Sequence, residues 1–306
     1  MAAGATTLAM AAKAGAQGAT KRRMQVPPLT CDVHVHIIGP PDKYPFIPDR
    51  AYTPPQASVA DLRAMRAVAG NQRNVLVQPS FYGTDNRCML DALGELGASA
   101  RGVAVVADDI SDAALADMEK RGVRGVRLNL ATTGFSNLKA VQEEIGVLAR
   151  RLKPLNWHIQ IYTSLDNVVA LAPVIEASPV PIVLDHFAMA IAAKGPNQPG
   201  LDVLTRLVKG KAWVKLSAPY RISDHPPGYA EVTPIARALI AANPAHMLWG
   251  SDWPHTTRAP GKGPLDIHPF LVQDEAATLD LMADWAPEAK TRQAILVDNP
   301  ARLYRF

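Results

Sequence analysis

The chain has 306 residues, of which 48% are apolar and 20% charged, a balance that excludes a long disordered body and suits one barrel-sized domain with a tail. Lys and Arg number 32 against 28 Asp and Glu, a net charge of +4, and the basic run Lys21-Arg22-Arg23 is too short for the basic face of a nucleic-acid partner. No apolar stretch approaches the roughly 18 residues of a membrane span, so no membrane partner is expected, and Cys31 and Cys88 stand in no redox or metal-binding spacing.

Residues 1–27 are set aside as an Ala-rich tail, and 28–306 as the folded domain. Within the tail, residues 1–18 resemble the back half of an export signal, with Ala14-Gly15-Ala16 in the form of a signal-peptidase site. The charged leader is missing and Lys13 interrupts the apolar stretch, so an Ala-rich tail reads equally well. A cytoplasmic location goes with the second reading and a periplasmic one with the first.

From Cys31 onward, eight short apolar runs alternate with stretches of helical character, the pattern of parallel βαβ units. The runs are CDVHVHI from Cys31, NVLVQPS from Asn74, RGVAVV from Arg101, GVRGVRLNL from Gly122, WHIQIY from Trp157, PIVLDHF from Pro181, AWVKLSA from Ala212 and HMLWGSDW from His246. They predict a single-domain (β/α)8 TIM barrel. Crossover helices are expected at Asn86 to Leu96, Ser111 to Lys120, Leu138 to Arg151 and Glu231 to Ala242, and C-terminal ones at Phe270 to Trp285 and Ala289 to Val297. The proline-rich segment Pro40 to Pro55 is expected to loop over the C-terminal end of the first strand, the active face of a barrel.

Three strand ends carry chemistry. In Asp32-Val33-His34-Val35-His36, strand alternation places both imidazoles on one face, with Val33 and Val35 on the other. In a barrel that face is the interior, where an uncompensated polar ring is costly, so a site is the better reading than core filling. Leu184-Asp185-His186-Phe187 and Trp249-Gly250-Ser251-Asp252-Trp253-Pro254-His255 likewise end apolar runs in ionisable groups. An N-cap role for Asp252 is made less attractive by Trp253-Pro254.

H-x-H on strand one, D-H on strand six and G-S-D-W-P-H on strand eight resemble the amidohydrolase superfamily, and within it the 2-pyrone-4,6-dicarboxylate lactonase-like family. The similarity runs from Asp32 to Tyr304 and includes Gly39-Pro40, Tyr52, Ser80, Arg124-Gly125-x-Arg127-x-Asn129, Trp157-His158-x-x-x-Tyr162 and Asn299-Pro300-x-Arg302-Leu303-Tyr304. The resemblance implies a hydrolase whose nearest members work without metal. Zinc-holding members of the superfamily usually add a histidine on strand five, where this chain has Tyr162, with His158 a layer below. No cofactor is expected. A divalent metal such as Zn, if present, falls to His34, His36, His186 and Asp252.

Lactone opening needs a base for water, a stabiliser for the oxyanion and a positioner for the rest of the substrate. The expected base is Asp252, with His34, His36 and His186 polarising the carbonyl. Arg127 and Arg221 are the expected carboxylate clamps, Arg124 a structural charge, Tyr52, Ser80 and Tyr162 hydroxyl contacts, and His255 a rim residue. Thr133, Met189 and Thr257 stand where the resembled family has two arginines and an asparagine, which predicts a pocket with less positive charge than one built for two carboxylates. The expected partner is a small anionic lactone. Hydrolysis of that lactone leads, with sugar-acid lactone isomerisation (galactarolactone isomerase-like), a zinc-dependent hydrolase or decarboxylase, and a non-catalytic binding barrel as alternatives. The sequence leaves the oligomeric state open.

Overall fold

Each of the eight apolar runs forms a parallel strand: β1 (Cys31–Val35), β2 (Arg73–Val77), β3 (Ala100–Ala104), β4 (Val123–Asn129), β5 (His158–Tyr162), β6 (Ile182–Leu184), β7 (Ala212–Ser217) and β8 (Met247–Gly250). The structure is a computed structural model that describes residues 22–133 and 137–306, except the side chains of 132 and 133. Ala14-Gly15-Ala16 and the Thr133 side chain therefore lie outside the described residues. The strands pair in chain order from β1 to β8. Just past β8 the ring closes: the Asp252 amide donates to the His34 carbonyl at 2.9 Å and the His36 amide to the Trp253 carbonyl at 2.8 Å. The architecture is the expected (β/α)8 barrel.

Between the strands run α1 (Val59–Ala69), α2 (Arg87–Leu96), α3 (Asp112–Lys120), the short α4 (Leu130–Thr133), α5 (Leu138–Leu152), α6 (Leu165–Ala177), α7 (Leu201–Gly210) and α8 (Thr233–Ala242). Local chemistry sets their ends. Ser58 and Asp61 form a capping box at the start of α1, and Gly70 with φ 88° stops it. The expected helix from Phe270 to Trp285 begins only at α9 (Glu275–Asp280), because the Asp274 carboxylate accepts from the Ala277 amide and caps it there. It continues through α10 (Met282–Trp285). The last stretch is α11 (Ala289–Gln293), a π-helical turn over Ala294–Asp298, and α12 (Asn299–Tyr304).

Two apolar clusters hold the barrel. The larger, with Leu76, Ile159, Leu184 and Trp249, fills the layer between sheet and helices. The smaller joins Cys31, Val33, Val75, Val103, Val183 and Leu248 to Leu303 and Tyr304 of α12, and it plugs the floor of the barrel. Val33 and Val35 thus fall in different clusters, contrary to the simple alternation expected. The cause is a bulge: Asp32 pairs with Asn74 but Val35 with Leu76, so β1 carries one extra residue across that step.

Residues 22–27, assigned to the tail from sequence, are packed against the barrel. Arg22 pairs with Asp280 at 2.9 Å and donates to the Ala69 carbonyl, and Met24 is buried. Among the described residues no helix is long and apolar enough to cross a membrane.

Candidate active site

The seam between β1 and β8 builds the first half of the site. Buried Asp32 accepts from the His34 amide at 3.1 Å, from the Ser251 amide at 2.9 Å and from the Ser251 hydroxyl at 2.5 Å, which ties the two strand ends together. A Cβ at Gly250 would stand 2.8 Å from His34 Cβ and 3.0 Å from its backbone nitrogen, so only glycine lets the strands approach this closely. Asp252 follows with φ 68°, a left-handed conformation that aspartate tolerates better than most residues.

The corner after β6 builds the second half. His186, Phe187, Ala188 and Met189 all have φ between 52° and 55°. Such a left-handed turn of non-glycine residues costs roughly 1–2 kcal/mol per residue, and it explains how consecutive residues Asp185 and His186 both reach the interior, which strand alternation forbids.

Asp185 heads a buried polar layer below the histidines. Its Oδ2 accepts from Arg127 Nε at 3.2 Å, Arg127 Nη2 at 3.1 Å and Gln160 Nε2 at 3.0 Å. Fully buried Lys215 donates to the Val33 carbonyl at 3.0 Å and Gln160 Oε1 at 2.7 Å, with His34 Nδ1 at 3.3 Å. Burial pulls the Lys215 ammonium down to about 8, while nearby Asp185 opposes that loss. An ammonium has no lone pair, so His34 Nδ1 is the acceptor of this contact. Burial, seconded by the Lys215 charge, holds the His34 imidazole well below its ordinary range. His34 Nδ1 stands between Lys215 Nζ at 3.3 Å and Asp185 Oδ1 at 3.4 Å, so the neutral ring carries its proton on Nε2 when Lys215 donates to Nδ1 and on Nδ1 when Asp185 accepts from it.

His34 Nε2 and two other imidazole nitrogens surround one oxygen. Asp252 Oδ1 lies 3.4 Å from His34 Nε2, 3.5 Å from His36 Nε2 and 4.0 Å from His186 Nε2. Both Asp252 Oδ1 and His34 Nε2 are buried without a hydrogen-bond partner. The other carboxylate oxygen, Oδ2, is engaged by the Tyr220 hydroxyl at 2.6 Å, Arg221 Nε at 2.8 Å and Arg221 Nη2 at 2.7 Å. Burial opposes ionisation of Asp252, but Arg221 and the histidines prevail and hold the carboxyl well below its usual range. His36 Nδ1 lies 2.7 Å from the Val77 carbonyl, which can only accept, so Nδ1 bears hydrogen and, in the neutral ring, Nε2 offers a lone pair. His186 Nδ1 faces the Ser217 hydroxyl at 2.9 Å, and burial lowers the ring to about 3.

These groups open into a cavity of about 330 Å³ at the C-terminal ends of the strands. Of the residues expected from sequence, His36, His186, Asp252, Arg127, Arg221, Tyr162, Tyr52 and Ser80 line it, and His34 lies directly beneath. His255 does not line it: buried, it meets Glu275 at 2.7 Å and packs against Tyr220. Of the two other substituted family positions, Thr257 lines the cavity and Met189 packs on the outer core. Arg124 bonds the Glu119 and Val123 carbonyls, a structural charge as expected, and His158 sits a layer below against Tyr304 and over Gly125. Sequence reasoning missed Lys215, Gln160, Tyr220 and Arg258. The first two sat in plain view as polar residues inside AWVKLSA and HIQIY, where alternation aims them inward.

Among the described residues, two donor sets are close enough to hold a metal ion: His34, His36 and Asp252, and His34, Asp185 and His186, each with its atoms within 4.8 Å of one another.

A closed (β/α)8 barrel with paired histidines on its first strand and an aspartate just after its eighth defines a class of barrel hydrolases. The chain belongs to the amidohydrolase family, whose profile matches residues 31–306. It is similar to a 2-pyrone-4,6-dicarboxylate hydrolase of Comamonas testosteroni, 35% identical over 93% of each chain. It is also similar to a 4-sulfomuconolactone hydrolase of Hydrogenophaga intermedia, 31% identical over 92% of this chain and 90% of that one. The crystal structure of a putative 2-pyrone-4,6-dicarboxylic acid hydrolase from Pseudomonas putida superposes with a TM-score of 0.76, at 32% identity, over 90% of this chain and 98% of that one. A more distant amidohydrolase from Burkholderia multivorans, 20% identical with a TM-score of 0.64 over 91% of this chain and 99% of that one, was solved with zinc bound and shares the fold.

Proposed function

We propose that this chain opens a small carboxylated lactone by attack of water, with Asp252 as general base and no metal. The observation that carries the reading is Asp252 Oδ1, a buried carboxylate oxygen without a hydrogen bond, ringed by three imidazole Nε2 atoms at 3.4, 3.5 and 4.0 Å. The names of the two relatives, both hydrolases and one of a lactone, support it.

The tautomers divide the labour that sequence assigned equally to three histidines. Water donates one hydrogen to Asp252 Oδ1 and the other to the lone pair of His36 Nε2, which turns its own lone pair toward the carbonyl carbon. The Nε2 proton of His34 when Lys215 donates to its Nδ1, and that of His186 when Ser217 donates to its Nδ1, stabilise the carbonyl oxygen as it becomes an oxyanion. As the intermediate collapses, the acyl carbon keeps the water oxygen, the ring C–O bond breaks, and the leaving ring oxygen takes up the proton held by Asp252. The products are a hydroxyl and a carboxylic acid on one open chain, and the acid passes its remaining proton, the second hydrogen of the attacking water, to solvent to leave as a carboxylate. Tyr52, Ser80 and Tyr162 offer hydroxyls along the cavity wall for orienting the substrate.

Were a divalent ion held here, its ligands would be His34, His36, His186 and Asp252. The donor set fits one poorly. With Lys215 donating to Nδ1, His34 has a proton rather than a lone pair on Nε2. Three cations, Arg127, Lys215 and Arg221, already face the two carboxylates Asp185 and Asp252, so a dication would add to a positive excess in a buried site.

The test is a panel of carboxylated lactones, aromatic-breakdown and sugar-acid types together, assayed with and without chelator and followed by NMR in labelled water. Ring opening that incorporates solvent oxygen and survives chelation is expected. Stoichiometric zinc in active protein, or a product without solvent oxygen, overturns the metal-free or the hydrolytic half respectively.

A further inference from the structure

From β1 round to β8, each junction of the barrel is a ladder between neighbouring strands. The closing junction, from β8 back to β1, is made differently. Its backbone bonds among the described residues lie past the end of β8, where the Asp252 amide reaches the His34 carbonyl at 2.9 Å and the His36 amide reaches the Trp253 carbonyl at 2.8 Å. The residue proposed as the base is therefore itself a closing residue of the barrel.

One level down, side chains take over from backbone. Asp32 Oδ1 accepts from the amides of His34 at 3.1 Å and Ser251 at 2.9 Å, and Oδ2 accepts from the Ser251 hydroxyl at 2.5 Å. The Ser251 oxygen accepts in turn from the Trp253 amide at 3.0 Å. The amides of 251, 252 and 253 are thus all engaged, the first by Asp32, the second by the His34 carbonyl and the third by Ser251. Asp252 is held among them at φ 68°, a left-handed conformation that persists only where the surroundings over-determine it. Asp32 and Ser251 are fully buried and do not line the cavity, so neither meets a substrate.

We propose that Asp32 and Ser251 are positioning residues, a clasp that sets Asp252 Oδ1 against His34 Nε2 by fixing the backbone from which both side chains hang. The separation it maintains is 3.4 Å. The consequence for rate rests on the lactone-opening reading. A hydroxyl suits the bridge because it donates to Asp32 and accepts from the Trp253 amide at once, which alanine cannot do and threonine can.

The experiment compares the parent with Ser251→Ala, Ser251→Thr, Asp32→Asn and Ser178→Ala. Ser178 is the control, a buried serine ahead of β6 whose hydroxyl donates to the Val180 carbonyl at 2.8 Å and which does not line the cavity. With rates normalised to folded protein, kcat should fall about tenfold to a hundredfold in Ser251→Ala, approaching the loss expected when a reacting group is misplaced by about 1 Å. KM should stay unchanged, Ser251→Thr should recover most of the loss, and Ser178→Ala should lower stability without lowering kcat. An unchanged kcat in Ser251→Ala, an equal fall in Ser178→Ala, or no recovery in folded Ser251→Thr overturns the proposal. If Ser251→Ala does not fold, Asp32→Asn takes its place, since it keeps Oδ1 for the two amides and removes the acceptor of the Ser251 hydroxyl; a parental kcat there overturns the proposal equally. A spectroscopic arm separates this from failure of the lactone reading. Even if the parent opens no lactone, the ¹⁵N shifts of the His34 and His36 rings should move in Ser251→Ala, return in Ser251→Thr and stay put in Ser178→Ala. Ring shifts that do not respond to Ser251→Ala overturn the proposal.

Discussion

The floor of the site and its mouth meet at one ring, and they are built on opposite terms. Below His34, Arg127, Gln160 and Lys215 bond one another's partners, from the Val33 carbonyl to the three donors on Asp185 Oδ2. Asp185 Oδ1 alone of that carboxylate has no hydrogen bond, with Lys215 Nζ at 3.5 Å and His34 Nδ1 at 3.4 Å. Above it, His34 Nε2 and Asp252 Oδ1 face each other at 3.4 Å with no hydrogen bond. A buried polar atom left unsatisfied costs roughly 1–3 kcal/mol, a cost that the closed floor offsets by fixing the ring. On the mechanism proposed above, the lesson is a division of labour: the floor, through Lys215 and Asp185, sets which nitrogen of His34 bears the proton, and the mouth uses that proton.

The largest break in this contrast is at the mouth. Asp252→Asn keeps the shape and the Oδ2-side contacts but removes the base, and kcat should fall by about 10²–10⁴ while the fold, followed by circular dichroism, persists. A variant as active as the parent would sink the assignment of Asp252. The next break is at the floor. Lys215→Met retains length but leaves Gln160 Oε1 and the Val33 carbonyl without their donor and Asp185 without its second cation. Breaking a buried ion pair from one side costs about 3–5 kcal/mol, measurable by chemical denaturation. On the metal-free reading, the ¹⁵N spectrum of the labelled imidazoles should then show His34 leaving the Nε2-protonated form, and purified Lys215→Met should take up more zinc than the parent. An unchanged imidazole spectrum would separate Lys215 from tautomer control.

A smaller effect is expected at Tyr220, whose hydroxyl donates to the occupied oxygen of Asp252 at 2.6 Å. Arg221 still holds that oxygen when the hydroxyl is lost, so Tyr220→Phe should cost roughly tenfold in kcat, near the lower end for a hydrogen bond to a charged group. A loss equal to that of Asp252→Asn would mean that Tyr220 takes part in proton transfer.

How much of this was legible follows from where each partner lies. The strands were readable because each apolar run is local, and His34, His36, His186 and Asp252 stood out because each ends such a run in an ionisable group. Lys215 was overlooked because a lysine within a strand reads as solvated, and only closure of the barrel buries both faces of β7. Arg127 was correctly aimed inward, but its pairing with a carboxylate of the protein was not legible, since Asp185 lies 58 residues further on, on the loop after β6. His255 was placed at the rim by its motif, whereas Glu275, twenty residues on, draws it into the wall. The bulge that splits Val33 from Val35 left no mark in the alternating sequence, because it arises in the pairing of β1 with β2.

The finest test of the contrast is its dependence on pH. The mouth gives no cause for an acid limb near neutrality from Asp252 or His186: the first is held ionised well below the ordinary carboxylate range, and the second is lowered to about 3 and stays neutral. The floor does supply a titrating group, because Lys215 is lowered to about 8. Below that value the ammonium is intact and donates to His34 Nδ1. Above it the proton leaves, the amine gains a lone pair, and His34 is free to shift its hydrogen to Nδ1. The kcat/KM of the parent should therefore decline through an alkaline limb near pH 8, and Lys215→Met, already without the ammonium, should show a lower profile with no such limb. A limb that persists in Lys215→Met belongs to another group, and control of the mouth by the floor would then have to act through position alone.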